Sequence, residues 1–173
     1  MKNKKKSNKV LIGMPGCGKS TIGKLLSEKL EIEFYDVDAY IEKQQEQKIV
    51  DIFKNGESFF RKIEKEAIKV VSQKTPSVIS TGGGVIKDKE NIDVLKETGI
   101  IIFINRPLEL IFKDITTDDR PLLKDNIKAL ESLYNERYQL YKKYCDFEII
   151  NNSTIENILE QIIHLTKNFD SGR

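Results

Sequence analysis

The chain has 173 residues, a length that fits one domain and leaves no room for a separate substrate domain. Its 29 basic and 27 acidic residues give a net charge of only +2, so charge does not favour nucleic acid or a membrane surface as a partner. No apolar run reaches the length of a transmembrane helix, and two cysteines are too few for a disulfide framework. These features predict a one-domain protein of the reducing cytoplasm.

The chain begins with a lysine-rich stretch, in which five of the eight residues from Lys2 to Lys9 are lysine. Because no aromatic residue interleaves with these charges, we expect a disordered, solubilising tail over residues 1–9 rather than a nucleic-acid-binding arm. The apolar run behind the tail stops at Gly13, which is too short for a signal peptide. The folded domain is therefore expected over residues 10–170.

Residues Gly13 to Ser20 read GMPGCGKS and fit the pattern GxxxxGK[ST] at every fixed position. They follow the apolar run Val10–Ile12 and precede a stretch with helical spacing, so the order is strand, glycine-rich turn, helix. In such a loop, backbone N–H groups and the helix N-terminus bind phosphate, and the lysine reaches the outer phosphates. The motif predicts a site for ATP or GTP, with Lys19 on the phosphates and Ser20 as a ligand of Mg²⁺.

Cys17 places a thiol inside this loop, beside Lys19 and the start of the predicted helix. A thiol in such surroundings can be reactive, which would make the residue a redox switch. The simpler interpretation, which we favour, is a small residue that fills a tight turn.

Further β-rich apolar runs alternate with helical patterns, which is typical of a parallel sheet built from βαβ units. The predicted strands are Val10–Ile12, Glu33–Asp36, Ser77–Ser80, Gly99–Ile104 and Phe147–Ile150. About forty residues separate the second strand from the third, more than one crossover needs. The excess, about residues 38–73, is helical by pattern with a break at Asn55-Gly56, and we expect this insertion to hold a second substrate.

The second half of the chain continues the alternation. A helix is predicted from Pro107, and the polar segment from Ile115 to Asn126 is predicted to be a mobile loop that carries Arg120. A tyrosine-rich helix, the last strand and a closing helix from Thr154 follow. The three-to-four spacing of the tyrosines favours packing over base stacking, and these residues are Tyr134, Tyr138 and Tyr141.

Two carboxylates, Asp36 and Asp38, lie at the end of the second predicted strand, the edge at which open α/β sheets bind ligands. Their spacing suits a division of roles, with one carboxylate near Mg²⁺ and the other near an acceptor hydroxyl. Aspartate also caps helices, and for Asp38 taken alone capping and chemistry are equally favoured.

The third predicted strand is followed by three glycines, Gly82, Gly83 and Gly84. Three glycines in a row imply positive φ angles or a ligand against bare backbone, and a plain loop is the alternative. Arg61 lies on the inserted helical segment, where a guanidinium could hold a carboxylate. Arg120 and Arg137 could supply positive charge when a phosphoryl-transfer site closes.

Taken together, these segments resemble shikimate kinases from Val10 to about Lys167. They occur in the same order, as GMPGCGKST, FYDVD, IVDIFKNGESFFRKIE, TGGG, DRPLL and ERYQLY. The resemblance implies a three-layer α/β P-loop kinase fold with a five-stranded parallel sheet, a helical substrate-binding insertion and a mobile lid over about residues 113–126. It also implies a monomeric cytoplasmic enzyme that transfers the γ-phosphate of ATP, with Mg²⁺, to the 3-hydroxyl of shikimate in chorismate and aromatic amino acid synthesis.

The resemblance also implies a role for each site residue. Asp38, Lys19 and Arg120 would be catalytic, Ser20 would ligate Mg²⁺, and Asp36 would hold the ion through water. Glu64 would position Arg61, which with Arg137 would grip the shikimate carboxylate. The nucleotide would contact Gly16, Cys17, Gly18, Lys19, Ser20, Thr21, Lys113 and Arg120. Shikimate would contact Asp38, Arg61, Gly82, Gly83, Gly84 and Arg137.

One position departs from the family pattern. Lys113 stands where members often place an arginine against the adenine, and since lysine stacks less well, we expect less selective binding of the base. A second adenine contact near Asn152 and Ser153 aligns poorly and is left unassigned.

Two other functions compete with this interpretation. A gluconate or adenylate kinase would share the phosphate loop, but an adenylate kinase has no reason to combine Arg61 with a triple glycine. A nucleotide-sensing module without turnover is disfavoured because the residues for transfer are intact, namely Lys19, Ser20, Asp36, Asp38 and Arg120.

Overall fold

The computed structural model describes residues 7–116 and 123–171, with side chains described within 7–114 and 127–167. These residues contain one sheet of five parallel strands in the order β2-β3-β1-β4-β5. The strands are β1 (Asn8–Ile12), β2 (Glu33–Asp36), β3 (Ser77–Ser80), β4 (Gly99–Asn105) and β5 (Phe147–Ile150). The predicted parallel α/β fold is therefore confirmed.

Helices cover both faces of the sheet. Their bounds are α1 (Lys19–Leu30), α2 (Val37–Gln45), α3 (Ile49–Phe53), α4 (Glu57–Ser72), α5 (Lys89–Thr98), α6 (Leu108–Thr116), α7 (Leu123–Tyr144) and α8 (Ile155–Ser171). Between β2 and β3 the insertion contributes α2, α3 and α4, with the break at Gly56 as the sequence predicts. Within the described residues, none of these helices has the length and apolarity to cross a membrane.

The core is built on β1 and β4, the two central strands. Residues Ile100 to Ile104 are all buried, as expected for a parallel strand with helices on both sides. On one face Gly23 of α1 packs closely on Leu11 and Phe34. Leu11 pairs with Ile102 of β4, and Phe103 is the next residue along that strand. Because neighbouring residues of a strand point to opposite faces, Phe103 contacts the tyrosines of α7 on the other face of the sheet.

The tail prediction of residues 1–9 is two residues too long, because β1 begins at Asn8. The Asn8 side chain is fully buried, and its polar atoms are bonded: Nδ2 donates to the Ser72 carbonyl at 2.8 Å, and Oδ1 accepts from the Ser77 N–H at 3.0 Å. Satisfied hydrogen bonds let a polar residue start a central strand. Polarity alone therefore misplaced the boundary.

The loop prediction from Ile115 to Asn126 is wrong at both ends. Helix α6 continues through Thr116, and α7 already begins at Leu123. A polar segment is also typical of an exposed helix, so composition did not separate the two states. Residues 117–122, which include Arg120, lie outside the described residues, and the lid prediction for this stretch stays a prediction.

Candidate active site

The phosphate loop joins β1 to α1, as the motif predicts. Gly16 and Gly18 have φ angles of +76° and +97°, which side chains rarely adopt, so the loop requires glycine at both positions. Gly18 stands at the N-cap position of α1 and brings no side chain to cap the first N–H groups. These N–H groups can therefore donate to an anion, and the helix dipole favours negative charge at the same place.

Lys19 lies across this loop with its ammonium held by the loop itself. Nζ donates to the carbonyls of Gly13 and Met14, each at 2.9 Å, and the residue is only 8% exposed. A buried ammonium fixed by two carbonyl dipoles stands beside the N-terminus of α1, where phosphates would bind. The charge is therefore placed before any ligand arrives.

Asn151 is a loop contact that the sequence analysis missed. It follows β5, is almost fully buried, and its Nδ2 donates to the Cys17 carbonyl at 2.9 Å. The unassigned residues Asn152 and Ser153 come directly after it and are exposed. A polar residue at the carboxyl end of a parallel strand is the signal that could have found Asn151.

The Cys17 thiol is fully buried under the loop. Its Sγ accepts a contact from Lys19 Nζ at 3.6 Å and would lie 2.8 Å from a Cβ on Gly13. A buried thiol is poorly accessible to oxidants, so the packing supports a turn-filling role more than a redox switch.

Ser20 and Asp36 meet where α1 begins and β2 ends. Ser20 Oγ donates to Asp36 Oδ2 at 2.5 Å, while Asp36 Oδ1 accepts from the N–H of Ala39 at 3.2 Å. Asp36 is thus the N-cap of α2, so the capping role considered for Asp38 is filled by Asp36 instead.

The hydroxyl and carboxylate of Ser20 and Asp36 are hard oxygen donors of the kind that Mg²⁺ prefers. In the described part of the chain no group of three or more His, Cys, Asp or Glu side chains could hold a metal ion. An ion here would therefore also need oxygens from phosphate and water, which is the usual way in which Mg²⁺ is held beside a nucleotide.

Asp38 lies in the first turn of α2 and points a carboxylate into the site. Its Oδ1 is buried and has no hydrogen-bond partner in the described structure. Burial raises the pKa of Asp38, the negative charge of Asp36 adds to this rise, and Lys19 and Arg61 oppose it. The unpaired oxygen is therefore free to accept a hydrogen bond from a hydroxyl, which would satisfy a costly buried acceptor.

Arg61 projects from α4 between two carboxylates. Its Nη1 donates to Glu64 Oε2 at 2.7 Å, and its Nη2 to Glu57 Oε1 at 3.2 Å. Glu57 also pairs with Lys87 at 2.8 Å, whereas the Glu64 carboxyl is buried, and this burial raises its pKa against the effect of Arg61. These contacts fix the orientation of the guanidinium, and 20% of the Arg61 side chain is exposed.

The three glycines after β3 lie close against the protein's own side chains. None of them has a positive φ, so that alternative is wrong. A Cβ on Gly84 would overlap the Arg61 guanidinium, and one on Gly82 would lie 3.0 Å from Asp38 Oδ1 and 3.3 Å from Glu64 Oε1. A Cβ on Gly83 would lie 2.8 Å from Pro15 of the phosphate loop. The segment therefore brings the loop and the charged side chains to one place.

Helix α7 contributes Arg137 and Tyr141 to the same place. Arg137 is 9% exposed, and its Nε is buried without a hydrogen-bond partner in the described structure. The packing predicted for the tyrosines is confirmed, since Tyr141 stacks on Phe103 with ring centroids 5.0 Å apart. Its hydroxyl also donates to the Gly83 carbonyl at 2.5 Å, a contact that helical spacing did not reveal.

Most of the predicted site residues thus lie around the glycine segment and the phosphate loop. Lys113 is exposed near the end of α6, and Arg120 lies outside the described residues. The arrangement has two halves: an anion-binding loop with a fixed ammonium, and two arginines, Arg61 and Arg137, near the unpaired carboxylate oxygen of Asp38. Such a pair suits transfer of a phosphoryl group to a small hydroxy acid, because that reaction needs positioning and charge neutralisation more than covalent chemistry.

Comparison with known proteins supports the resemblance to shikimate kinases that the sequence motifs indicate. The family model described as shikimate kinase matches residues 15–167. A shikimate kinase from Clostridium beijerinckii is 49% identical over 91% of this chain and 93% of its own length, and one from Clostridium botulinum (strain Alaska E43) is 48% identical over 90% and 94%.

Solved structures agree. Shikimate kinase from Acinetobacter baumannii, in complex with shikimate, superposes with a TM-score of 0.85 at 32% identity and covers 94% of this chain and 93% of that one. The Aquifex aeolicus enzyme gives a TM-score of 0.82 at 36% identity, with coverage of 96% and 99%. A gluconokinase from Sinorhizobium meliloti, at 12% identity and a TM-score of 0.62, shares the fold alone. The chain belongs to the shikimate kinase family.

Proposed function

We propose that this protein transfers the γ-phosphoryl group of ATP to the 3-hydroxyl of shikimate. The observation that carries the proposal is the glycine segment 82–84, which packs on Pro15 of the phosphate loop and on Arg61 of the insertion. A phosphoryl donor and a carboxylate-bearing acceptor would therefore meet at one point. Membership of the shikimate kinase family supports the same donor and acceptor.

In the donor half, Gly16 to Thr21 would surround the phosphates of ATP, with Lys19 as the fixed positive charge. Neutralising the negative charge of the transferred group, in a site that excludes water, is the main electrostatic contribution to such a reaction. Lys113 at the adenine and Arg120 on the transferred phosphate stay predictions from the family resemblance.

Mg²⁺ is proposed as the metal of this half, with Ser20 as a direct ligand and Asp36 acting through water. When bound, the ion would neutralise charge on the phosphate oxygens. The hydrogen bond between these two side chains supports the assignment, since it places the two oxygens 2.5 Å apart.

In the acceptor half, Arg61 and Arg137 would hold the shikimate carboxylate through paired hydrogen bonds, and Glu64 would keep Arg61 in direction. Asp38 would accept a hydrogen bond from the attacking hydroxyl and take its proton during transfer. The backbone of Gly82, Gly83 and Gly84 would lie close to the ring. The monomeric state and the cytoplasmic location stay predictions.

A coupled assay of ADP release tests the function. We expect release that depends on shikimate, and little or none with gluconate or AMP in its place. Release with gluconate alone or AMP alone would instead favour one of the other small-molecule kinases. Absence of release with all three acceptors, together with tight ATP binding, would favour a nucleotide-sensing module.

Gly84→Ala tests the geometry of the acceptor half. The new methyl group would overlap the Arg61 guanidinium and displace it, so we expect the KM for shikimate to rise about tenfold or more while the KM for ATP changes less than twofold.

The Gly84→Ala effect should depend on Arg61. In a chain that already carries Arg61→Ala, the added substitution should have little further effect on shikimate affinity, because the residue that it displaces is gone. Equal losses in both backgrounds would contradict this explanation. Steady-state kinetics and thermal melting of the four chains measure it.

A further inference from the structure

Tyr141 is a buried polar residue that the proposed mechanism does not use. Its side chain is fully buried, and its hydroxyl donates to the Gly83 carbonyl at 2.5 Å and lies 3.9 Å from Met14 Sδ. Stacking on Phe103 accounts for the ring but not for the hydroxyl. A buried phenol keeps its place at low cost only when the O–H finds a partner, and here the partner is backbone of the glycine segment.

The position of Gly83 makes this hydrogen bond relevant to the acceptor half of the site. A Cβ on Gly83 would meet Pro15, so this backbone packs directly on the phosphate loop. The next residue, Gly84, packs on Arg61. A shift of the Gly83 carbonyl would therefore move the backbone on which the acceptor arginine rests, and small displacements of positioning groups have large effects on transfer.

Tyr141 also stands one helical turn after Arg137 on α7. Burial raises the pKa of Tyr141, whereas the positive charge of Arg137 and its side-chain hydrogen bond with the phenol oppose this rise. The hydroxyl therefore stays protonated and available as a donor at neutral pH. It lies between Arg137 on its own helix and the glycine segment that packs on Arg61.

We propose that Tyr141 is a positioning residue, whose hydroxyl holds the Gly83 carbonyl and Arg137 in the arrangement that binds the acceptor carboxylate. This role rests on the proposed function, and it goes beyond packing in the core. It concerns the acceptor half of the site, because the hydroxyl donates its hydrogen bond to the glycine segment, whereas the Lys19 ammonium is held by the Gly13 and Met14 carbonyls.

Tyr141→Phe tests the role, since it removes the hydroxyl and keeps the ring on Phe103. We expect the KM for shikimate to rise between about threefold and tenfold, as for loss of one buried hydrogen bond, with the KM for ATP within twofold of the wild type. The matched control is Tyr138→Phe, on the same helix, whose ring also meets Phe103 at 6.0 Å. The control should leave both KM values within twofold.

A purely structural role for Tyr141 would give a different result. The melting temperature would then fall, while the two KM values would either stay equal to those of the wild type or rise in parallel. Either result for the KM values would overturn the proposal. A Tyr141→Phe chain that does not fold would also overturn it, because a hydroxyl that only positions the acceptor site is not needed for folding. Failure of the proposed function is distinguishable, since the wild-type chain itself would then lack shikimate-dependent ADP release.

Discussion

Arg61→Ala is expected to weaken shikimate binding by about 2 to 5 kcal/mol while ATP binding changes little. The reason is the loss of a planar cation that would face the substrate carboxylate in the proposed site and that is largely buried, with its side chain 20% exposed. Titration calorimetry with shikimate and, separately, with ATP measures the two affinities. Some loss of thermal stability should accompany the change, because the buried Glu64 carboxylate loses the donor that it has at 2.7 Å.

Two further variants make the Arg61 result specific. Lys62→Ala, at the next and exposed position of α4, removes a positive charge without touching the pocket and should keep wild-type affinity. Arg61→Lys keeps the charge but loses the planar guanidinium with its paired N–H donors. Its shikimate affinity should therefore lie between those of Arg61→Ala and the wild type. Wild-type affinity in Arg61→Ala would show that the acceptor carboxylate binds elsewhere.

The sequence predicted those parts of the fold that depend on local pattern. The continuous apolar run of β4 indicated a strand buried on both faces, and the phosphate motif between Val10–Ile12 and a helical stretch indicated the turn that the structure has. Both signals lie within a few residues of the element that they describe, so a linear reading is sufficient.

The glycine segment shows where such a reading stops. Three consecutive glycines indicate that something approaches the backbone closely, but they do not indicate what. The answer lies in α2, α4 and the phosphate loop, from which Asp38, Arg61 and Pro15 approach the segment. Only tertiary packing brings these residues together, so the sequence indicated the residue type without its partner.

Polar residues in the core were missed for a similar reason. The Tyr141 ring follows the helical period and was recognised as packing, whereas its hydroxyl bonds to a carbonyl 58 residues away. Asn151 likewise bonds to a carbonyl 134 residues away. Buried hydrogen bonds of this kind satisfy groups that the chain must bury, and no periodicity marks them.

Asp38→Asn is expected to reduce kcat at least about a hundredfold and to leave ATP affinity within twofold of the wild type. An amide keeps the shape of the side chain but cannot take the proton of the attacking hydroxyl. The N-cap of α2 is Asp36, so loss of the helix start does not explain such a fall. Coupled kinetics and nucleotide calorimetry on one preparation measure both quantities.

The pH dependence of the same reaction tests the assignment of the base. Burial raises the pKa of Asp38, so the acidic limb, the pH at which kcat falls on the acidic side, should lie above the ordinary pKa range of an aspartate. Activity should be lost as the pH falls through the raised pKa. For an acid whose pKa is raised in the folded state, ionisation opposes folding, so stability is lost as the pH rises through that pKa. Asp38→Asn should therefore melt no lower than the wild type at pH 7.

Asp51→Asn is the control for both experiments, because it makes the same chemical change at an exposed position of α3 that pairs with Lys54. It should keep kcat, the acidic limb and the melting temperature of the wild type. Near-normal turnover in Asp38→Asn would make the carboxylate a structural group only. A large fall in kcat without loss of stability would instead mean that the unpaired, buried oxygen is retained for catalysis at a cost in folding free energy.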